Sequence, residues 1–280
     1  MALFRRGRRL IGSSMRAFSA SQVSAAETAG GVVMPKSPGE TKVVAIMGGD
    51  YGHNPIFPEL FVRGLFGSLP SWRIIFVQAS RFFTPGLIAD ADLLITSRHM
   101  RPDDIDFRPD GLVDSAGKGA LLWTDENAAA IVANIRDRGM GFLAMHNTVS
   151  SGNKQIEDLL GVIPIPHNEI QPLWAHDLNG DHPITSGMGT FFLPLDEQFG
   201  AVVKSSYTTM LFQTTGIHDK RITVGGWCRE NGRGRIVGLL PGHTRNTYAI
   251  PEFQEILWRA AHWAMNRNIP RFPGAVNALG

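Results

Sequence analysis

Three apolar segments of the sequence run directly into polar loops that carry a histidine. Residues 43–47 lead to His53, residues 141–145 to His146, and residues 236–240 to His243. An imidazole titrates near neutral pH, so it can exchange protons with a substrate or bind a metal ion as a neutral ligand. In open α/β sheets the carboxyl ends of the strands face the ligand crevice. The pattern therefore predicts that the three histidines share one site.

An acidic pair, Asp196 and Glu197, follows a fourth apolar segment at residues 191–195. Neighbouring side chains on an extended backbone point to opposite sides, so only one carboxylate is expected to enter the pocket. The longer Glu197 is assigned to the acid-base or metal-ligand role. We expect Asp196 to orient its loop through backbone hydrogen bonds.

Histidines beside a carboxylate have the pKa range and geometry for general acid-base catalysis. The same groups are also ligands for a divalent metal, but no His-Glu-x-x-His motif is present. The sequence leaves open whether a metal is bound.

Other kinds of chemistry are disfavoured. The glycine-rich loop at residues 48–52 does not match the dinucleotide-binding fingerprint, and no P-loop occurs, so we expect no nucleotide. A nucleophile elbow would place serine or cysteine after the strand at 141–145, where the chain has Met145, His146 and Asn147. The single cysteine, Cys228, ends a later apolar segment and is expected to be a buried, inert thiol. Cysteine-dependent amide transfer is therefore not expected.

Several polar residues flank these positions and are candidates for substrate contacts. Arg245, which follows His243, can donate hydrogen bonds to sugar hydroxyls or to a carbonyl oxygen. Together the candidate substrate-binding residues are Asp50, Tyr51, His99, Asn147, Asp196 and Arg245.

Alternating strand-like and helix-like segments must position these residues. The run at 43–47 is typical of a parallel strand buried on both faces, and residues 58–69 have helical spacing. Strands are predicted at 72–77 and 92–96, and Thr124 is a predicted N-cap of a helix that ends at Gly139. The middle of the chain, 161–215, is predicted to form a mainly antiparallel extension. Strands at 222–227 and 236–240 and a helix at about 251–266 complete an α/β fold.

Composition separates a leader from the folded domain. Residues 1–40 lack periodicity and hold five arginines in their first sixteen positions, which predicts a disordered or targeting leader. From Thr41 onward, 21 Lys and Arg face 23 Asp and Glu, so no basic surface for nucleic acid is expected. We assign the domain to 41–270 and a C-terminal tail to 271–280. No run of 18 apolar residues occurs, so no membrane association is expected.

The lone cysteine is compatible with a reducing compartment, and a cytoplasmic location is predicted. The alternative is export through a twin-arginine-like leader, because Arg5-Arg6 and Arg8-Arg9 precede a weakly apolar stretch. The oligomeric state is left open, and a homo-oligomer is one possibility.

Four segments resemble the ThuA-like, trehalose-utilisation family. They are residues 49–55, residues 141–146, residues 181–187 with Asp196-Glu197, and the stretch from Gly232 through Gly242-His243 to Trp263-Ala264. Together they span about 41–268, and their order and spacing make the match fairly specific. The chain departs from the commoner pattern at Asn147, where the family often has glycine, and in an insertion at 101–118.

This resemblance implies a flavodoxin-like fold similar to class I glutamine amidotransferases, with a mostly parallel sheet and helices on both faces. It also implies a role in bacterial disaccharide or keto-sugar catabolism, with His53, His146, Glu197 and His243 as the catalytic pocket residues. Our first hypothesis is an isomerase or hydrolase that moves a proton next to the carbonyl of a small-molecule carbohydrate, with or without a divalent metal. The alternative is a non-catalytic sugar-binding or regulatory protein on the same scaffold.

Overall fold

The computed structural model describes residues 34–47, 53, 56–77, 82–98, 105–107, 113–115 and 124–277. The strands are β1 (Thr41–Met47), β2 (Trp72–Val77), β3 (Leu93–Ser97), β4 (Ile105–Phe107), β5 (Val113–Ser115), β6 (Gly141–Met145), β7 (Val162–Ile165), β8 (Ile170–His176), β9 (Phe191–Glu197), β10 (Gly200–Val203), β11 (Thr208–Gly216), β12 (Ile222–Asn231) and β13 (Gly234–Leu239). The helices are α1 (Ile56–Phe66), α2 (Pro85–Ile88), α3 (Asp125–Ala133), α4 (Lys154–Leu160), α5 (Arg245–Tyr248) and α6 (Pro251–Ala264).

Within the described ranges, nine strands form one sheet in the order β2-β1-β3-β6-β13-β12-β11-β8-β9. The first five of these are parallel to one another, and along the chain they have the 2-1-3-4-5 order of flavodoxin-like folds. The remaining four pair antiparallel. This topology confirms the predicted parallel sheet with an antiparallel extension. Two small pairs, β7 with β10 and β4 with β5, lie outside the main sheet, and the second pair falls within the 101–118 insertion.

The inner strands β1, β3 and β6 are buried on both faces, as their continuous apolar sequences require, and the edge strand β2 is only partly buried. In β1, Val43 and Ala45 pack in the core layer of α1 and α6, whereas Val44 and Ile46 face the opposite layer with α2, α3 and α4. Helices therefore cover both faces of the sheet.

Local signals set the ends of several elements. Thr124 accepts a hydrogen bond from the Asn127 amide and caps α3, as predicted. After α3 the chain widens into a π-helical turn over Asn134–Arg138, which ends at Gly139 with φ +87°. The sequence pattern did not anticipate the π-helical turn. Helix α1 begins at Ile56 and ends at Phe66, three residues before the predicted end.

The segments flanking the domain contact it where they are described. The Lys36 side chain forms an ion pair with Asp92, and its backbone amide donates to Asp90. At the other end, Val276 exchanges two hydrogen bonds with the Gln254 side chain of α6. Residues 1–33 lie outside the described residues, so the leader and the domain limits remain a proposal.

Among the described residues, no helix has the length and apolar character needed to cross a bilayer.

Candidate functional site

The three histidines lie together where their strands end. The ring centroids of His53 and His146 are 4.9 Å apart, those of His53 and His243 are 4.8 Å apart, and those of His146 and His243 are 5.4 Å apart. His146 follows β6 directly, and His243 lies in the loop after β13. These two strands pair in parallel, so both loops emerge at the carboxyl edge of the sheet.

Glu197, the last residue of β9, brings a carboxylate into the same cluster. Its Oε2 lies 3.3 Å from His146 Nε2, 3.4 Å from His243 Nδ1 and 3.7 Å from His53 Nε2. Strand β9 is separated from β13 by three alternating antiparallel strands, so it runs in the same direction as β13 and ends at the same edge. We name His53, His146, Glu197 and His243 the His/Glu cluster.

His146 is held in place by a strained backbone and a hydrogen bond. Its φ is +45°, a left-handed conformation that costs a residue with a β-carbon on the order of 1–3 kcal/mol. Its Nδ1 lies 2.8 Å from the Leu240 carbonyl oxygen, which can only accept, so Nδ1 carries the proton and donates. Nε2 is then left with its lone pair facing the cluster. The turn after β6, where a nucleophile elbow would carry serine or cysteine, therefore carries the imidazole of His146.

Asp196 holds the loop that carries His243. This carboxylate is fully buried and accepts the backbone N–H groups of Gly242, His243 and Thr244 at 2.8, 2.8 and 3.3 Å. It also accepts the N–H of Glu197 at 2.9 Å. Both oxygens of Asp196 thus accept backbone N–H groups and hold the loop of His243, and its role in binding a substrate stays a prediction.

Gly242 allows the loop to turn beside His146. Its φ is +136°, which side chains rarely permit, and a β-carbon there would lie 2.8 Å from the Tyr248 hydroxyl oxygen. The Tyr248 side chain is fully buried beneath this turn.

The environment separates the protonation states of the cluster. Burial lowers the pKa of the His146 imidazole below its ordinary value, although the Glu197 carboxylate opposes this effect. Burial by itself would raise the pKa of the Glu197 carboxyl, but the rings of His146, His243 and His53 outweigh it, and the pKa lies far below its usual range. The arrangement thus favours a neutral imidazole beside an ionised carboxylate, the forms in which both side chains act as bases or metal ligands.

A fourth histidine, His167, contacts the other oxygen of Glu197 and was missed from the sequence. Its Nδ1 lies 2.9 Å from Oε1, and its side chain is 50 % exposed. The Phe199 ring contacts both His146 and His167. His167 also lines a surface cavity of about 490 Å³ together with Gln171, His218 and Asp219. Glu197 therefore links the buried cluster to this cavity.

The remaining candidate residues divide into three groups. Asn147 is fully buried in the turn after His146, and both polar atoms of its amide lack a hydrogen bond to the described residues. Arg245 is exposed at the start of α5. Asp50, Tyr51 and His99 lie outside the described residues.

Cys228 lacks the low thiol pKa that a cysteine nucleophile requires. Burial raises the pKa of its thiol to about 12, and its Sγ lies 3.3 Å from His182 Nε2. The Ile184 amide donates to His182 Nδ1, so the proton of the neutral ring resides on Nε2. This tautomer donates to the sulfur and cannot take the thiol proton.

A larger cavity, of about 720 Å³, is lined by Arg235, Arg259, Trp263 and Arg267 among others. Arg235 lies at the start of β13 and Arg267 hydrogen-bonds Thr41 at the start of β1, so this cavity lies at the amino edge, away from the His/Glu cluster. The cluster, which combines several bases with burial, is the stronger candidate site.

Comparisons with known proteins agree with this architecture. A ThuA-like protein from Parabacteroides merdae shares 14 % identity over 85 % of this chain and 98 % of its own, with a TM-score of 0.63. A ThuA-like protein from Bacteroides uniformis shares 14 % identity over 82 % of this chain and 93 % of its own, with a TM-score of 0.61. A Salmonella typhimurium protein named as cytoplasmic shares 12 % identity over 80 % and 98 %, with a TM-score of 0.52.

At these identities the structural matches show the fold alone. No curated protein matches the sequence. The ThuA family model, described as trehalose utilisation, matches residues 108–264, which include His146, Glu197 and His243. This match covers more than half of the chain, and the chain belongs to the ThuA family.

Proposed function

We propose that this protein is an enzyme of carbohydrate catabolism that acts on a keto-sugar or disaccharide derivative by proton transfer next to a carbonyl group. The observation that carries the proposal is the convergence of three histidines on one buried carboxylate oxygen, Glu197 Oε2. The family description, trehalose utilisation, supplies the substrate class.

The chemistry requires a base for the carbon-bound proton and an electrophile for the oxygen of the resulting enolate. Glu197 lies at the centre of the cluster, within 3.7 Å of all three rings, and it is the proposed base. His167 contacts its outer oxygen and is half exposed, so it can pass the proton to solvent. The electrophile is a protonated imidazole of the cluster or a metal ion that the cluster holds. Return of the proton to a neighbouring atom gives an isomerase. Alternatively, the enolate expels the glycosidic group, which leaves with a proton, and addition of water to the resulting enone completes a net hydrolysis.

A carbohydrate entering from the side of His167 would meet polar groups suited to hydroxyls. The cavity beside His167 is lined by Asn168, Glu169 and Gln171. The Asn147 amide, which has no hydrogen bond to the described part of the chain, offers a further donor and acceptor next to His146. We propose that these side chains orient the sugar, together with Asp50, Tyr51, His99 and Arg245. A cytoplasmic location and assembly into a homo-oligomer are part of the same proposal.

The second candidate is a sugar-binding or regulatory protein without catalysis. A binding protein needs hydroxyl-pairing side chains but has no need of an ionised carboxylate buried among three imidazoles. The cluster therefore favours the enzyme.

The test is a screen of oxidised and unoxidised disaccharides with purified protein in D₂O. Proton transfer next to a carbonyl predicts deuterium incorporation into the oxidised sugars and no reaction of the unoxidised ones. Binding of sugars without deuterium exchange or product formation would instead support the sugar-binding protein. Glu126→Gln, an exposed carboxylate in the first turn of α3, serves as the matched control for Glu197→Gln.

A further inference from the structure

The four members of the His/Glu cluster present one ligand atom each to a common point. All four atoms lie within 4.8 Å of one another. The closest pair joins two ring nitrogens, His53 Nε2 and His146 Nε2, at 3.0 Å. Glu197 Oε2 lies at 3.3, 3.4 and 3.7 Å from the three rings.

The four separations between 3.0 and 3.7 Å lie near the edges of a metal coordination polyhedron, and the widest separation, within 4.8 Å, is larger. A tetrahedral ion with metal–ligand bonds of about 2.0–2.1 Å has ligand–ligand edges of about 3.3 Å. Full closure around an ion requires small rotations of His53 and His243, whose side chains are 15 % and 14 % exposed. His146 is completely buried and provides the fixed point.

Two buried atoms of the cluster have no hydrogen bond to the residues that the structure describes. They are Glu197 Oε2 and His243 Nδ1. A buried acceptor without a donor costs about 1–3 kcal/mol, and more when it is charged, so the Glu197 carboxylate oxygen requires a proton donor or a cation beside it. A cation in the cluster would satisfy both at once.

The surroundings orient the ligands in the manner of metal sites. A ligating histidine usually donates its second ring N–H to a carbonyl or carboxylate, and His146 does so to Leu240. The His243 backbone is fixed by Asp196, the residue adjacent to Glu197. One carboxylate therefore holds the backbone of two cluster members.

We propose that His53, His146, His243 and Glu197 bind one divalent transition-metal ion. Imidazole nitrogens suit Zn²⁺, Ni²⁺, Cu²⁺ and Fe²⁺, whereas Mg²⁺ and Ca²⁺ prefer oxygen ligands. In the proposed enzyme, on which this role of the ion rests, a bound ion would supply the electrophile for the substrate's carbonyl oxygen. Glu197 would hold the ion through Oε2, and its other oxygen, Oε1 beside His167, would remain the proposed base.

Metal binding is tested without any substrate. The full-length protein is treated with chelator, dialysed against Zn²⁺, Co²⁺ or Mg²⁺, and analysed for metal content per chain. We expect one tightly bound Zn²⁺ or Co²⁺, no Mg²⁺, and a rise in Tm on loading. Glu197→Gln and His146→Ala are each expected to weaken binding by more than the roughly 10–100-fold that loss of an outer-sphere partner costs.

The matched control is His176→Ala, which removes a half-buried histidine of β8 that pairs with Asp177 and lies outside the cluster. It is expected to keep full metal binding. Absence of stoichiometric Zn²⁺ or Co²⁺ binding, or binding that survives both cluster substitutions, would overturn the metal site. Because Glu197→Gln preserves size and the variant's Tm is measured in parallel, unfolding is distinguished from loss of a ligand.

The outcome is independent of the proposed reaction. If the protein binds the metal but turns over no keto-sugar, the metal site is supported and the proposed enzyme is contradicted. If the protein catalyses deuterium exchange without binding any transition metal, the proposed enzyme is supported and the metal site is contradicted.

Discussion

The Asp196 carboxylate accepts the backbone N–H of His243 at 2.8 Å, and through this bond β9 is joined to the loop after β13. The same carboxylate accepts the N–H of Glu197. Two members of the His/Glu cluster, on elements separated in the sheet by three strands, therefore share one buried anchor. Asp196 therefore couples their positions directly, in addition to the sheet register.

Replacement of Asp196 tests this anchor. Asp196→Asn substitutes an NH₂ donor for one acceptor oxygen and leaves buried backbone N–H groups unpaired, so we expect a loss of about 2–4 kcal/mol in the free energy of unfolding. Chemical denaturation measures this loss. The exposed Asp181→Asn is the control. An Asp196→Asn protein as stable as wild type would show that the loop does not depend on the carboxylate.

Removal of the Glu197 charge should affect turnover more than folding. Glu197→Gln keeps the side-chain volume but eliminates the proposed base, and we expect kcat to fall by about a hundredfold or more, within the range for general acid-base groups. The measurement is the initial rate on whichever oxidised disaccharide proves to be a substrate, with Tm as a check on folding. Retention of more than half of the activity would contradict the role of Glu197.

Gly242 offers a test of the turn beside His146. Gly242→Ala must place a β-carbon at φ +136° and 2.8 Å from the Tyr248 hydroxyl oxygen, so we expect a loss above about 2 kcal/mol and displacement of His243. Gly187→Ala is the matched control, because Gly187 also has a positive φ (+74°) but has no atom within 4 Å of the added β-carbon. Equal destabilisation of the two variants would show that backbone strain, and not the contact with Tyr248, accounts for the loss.

A buried ion pair at the amino edge predicts pH-dependent stability. Lys42 is fully buried and pairs with Asp90, whose side chain is 39 % exposed. Burial would raise the pKa of the Asp90 carboxyl, but the hydrogen bond and charge of Lys42, with the Lys36 amide, lower it overall. A depressed folded-state pKa means that the stabilisation is present above the unfolded pKa and is lost as pH falls through the folded value.

Asp90→Asn should therefore destabilise the protein at pH 7 by about 1–3 kcal/mol, a figure reduced from that of a fully buried pair because solvent screens Asp90. The difference from wild type should shrink below about pH 4, where the unfolded carboxyl is protonated. Denaturation midpoints at pH 7, 5 and 3 provide the comparison. Asp137→Asn, which breaks the exposed pair with Arg136, should leave stability nearly unchanged at every pH. A difference that grows on acidification would contradict this account.

Much of the architecture followed from simple patterns in the sequence. Continuous apolar strands predicted the parallel half, and the rule that parallel strands end at one edge placed His146 and His243 in neighbouring loops. Alternation along an extended strand separated Glu197 from Asp196, and the two side chains do point to different partners.

His167 could not be predicted in this way, because it follows β7, which pairs with β10 outside the main sheet. The rule that parallel strands end at one edge does not apply to such a strand, so the sequence did not place His167 near the other histidines. The left-handed backbone of His146 was equally inaccessible, since non-glycine residues adopt it only where the surroundings enforce it. Both features depend on tertiary contacts.

The His/Glu cluster draws its members from positions 53 to 243, and each contact between them closes a long loop of chain. Such contacts form late, because their entropic cost is repaid only after the intervening elements have docked. Nascent or nicked chains that still fold the parallel half but lack a docked β9 would expose the histidines without the carboxylate. The proposed activity should therefore report complete folding. Partial proteolysis within residues 177–190, between β8 and β9, should abolish it before the parallel half of the sheet unfolds.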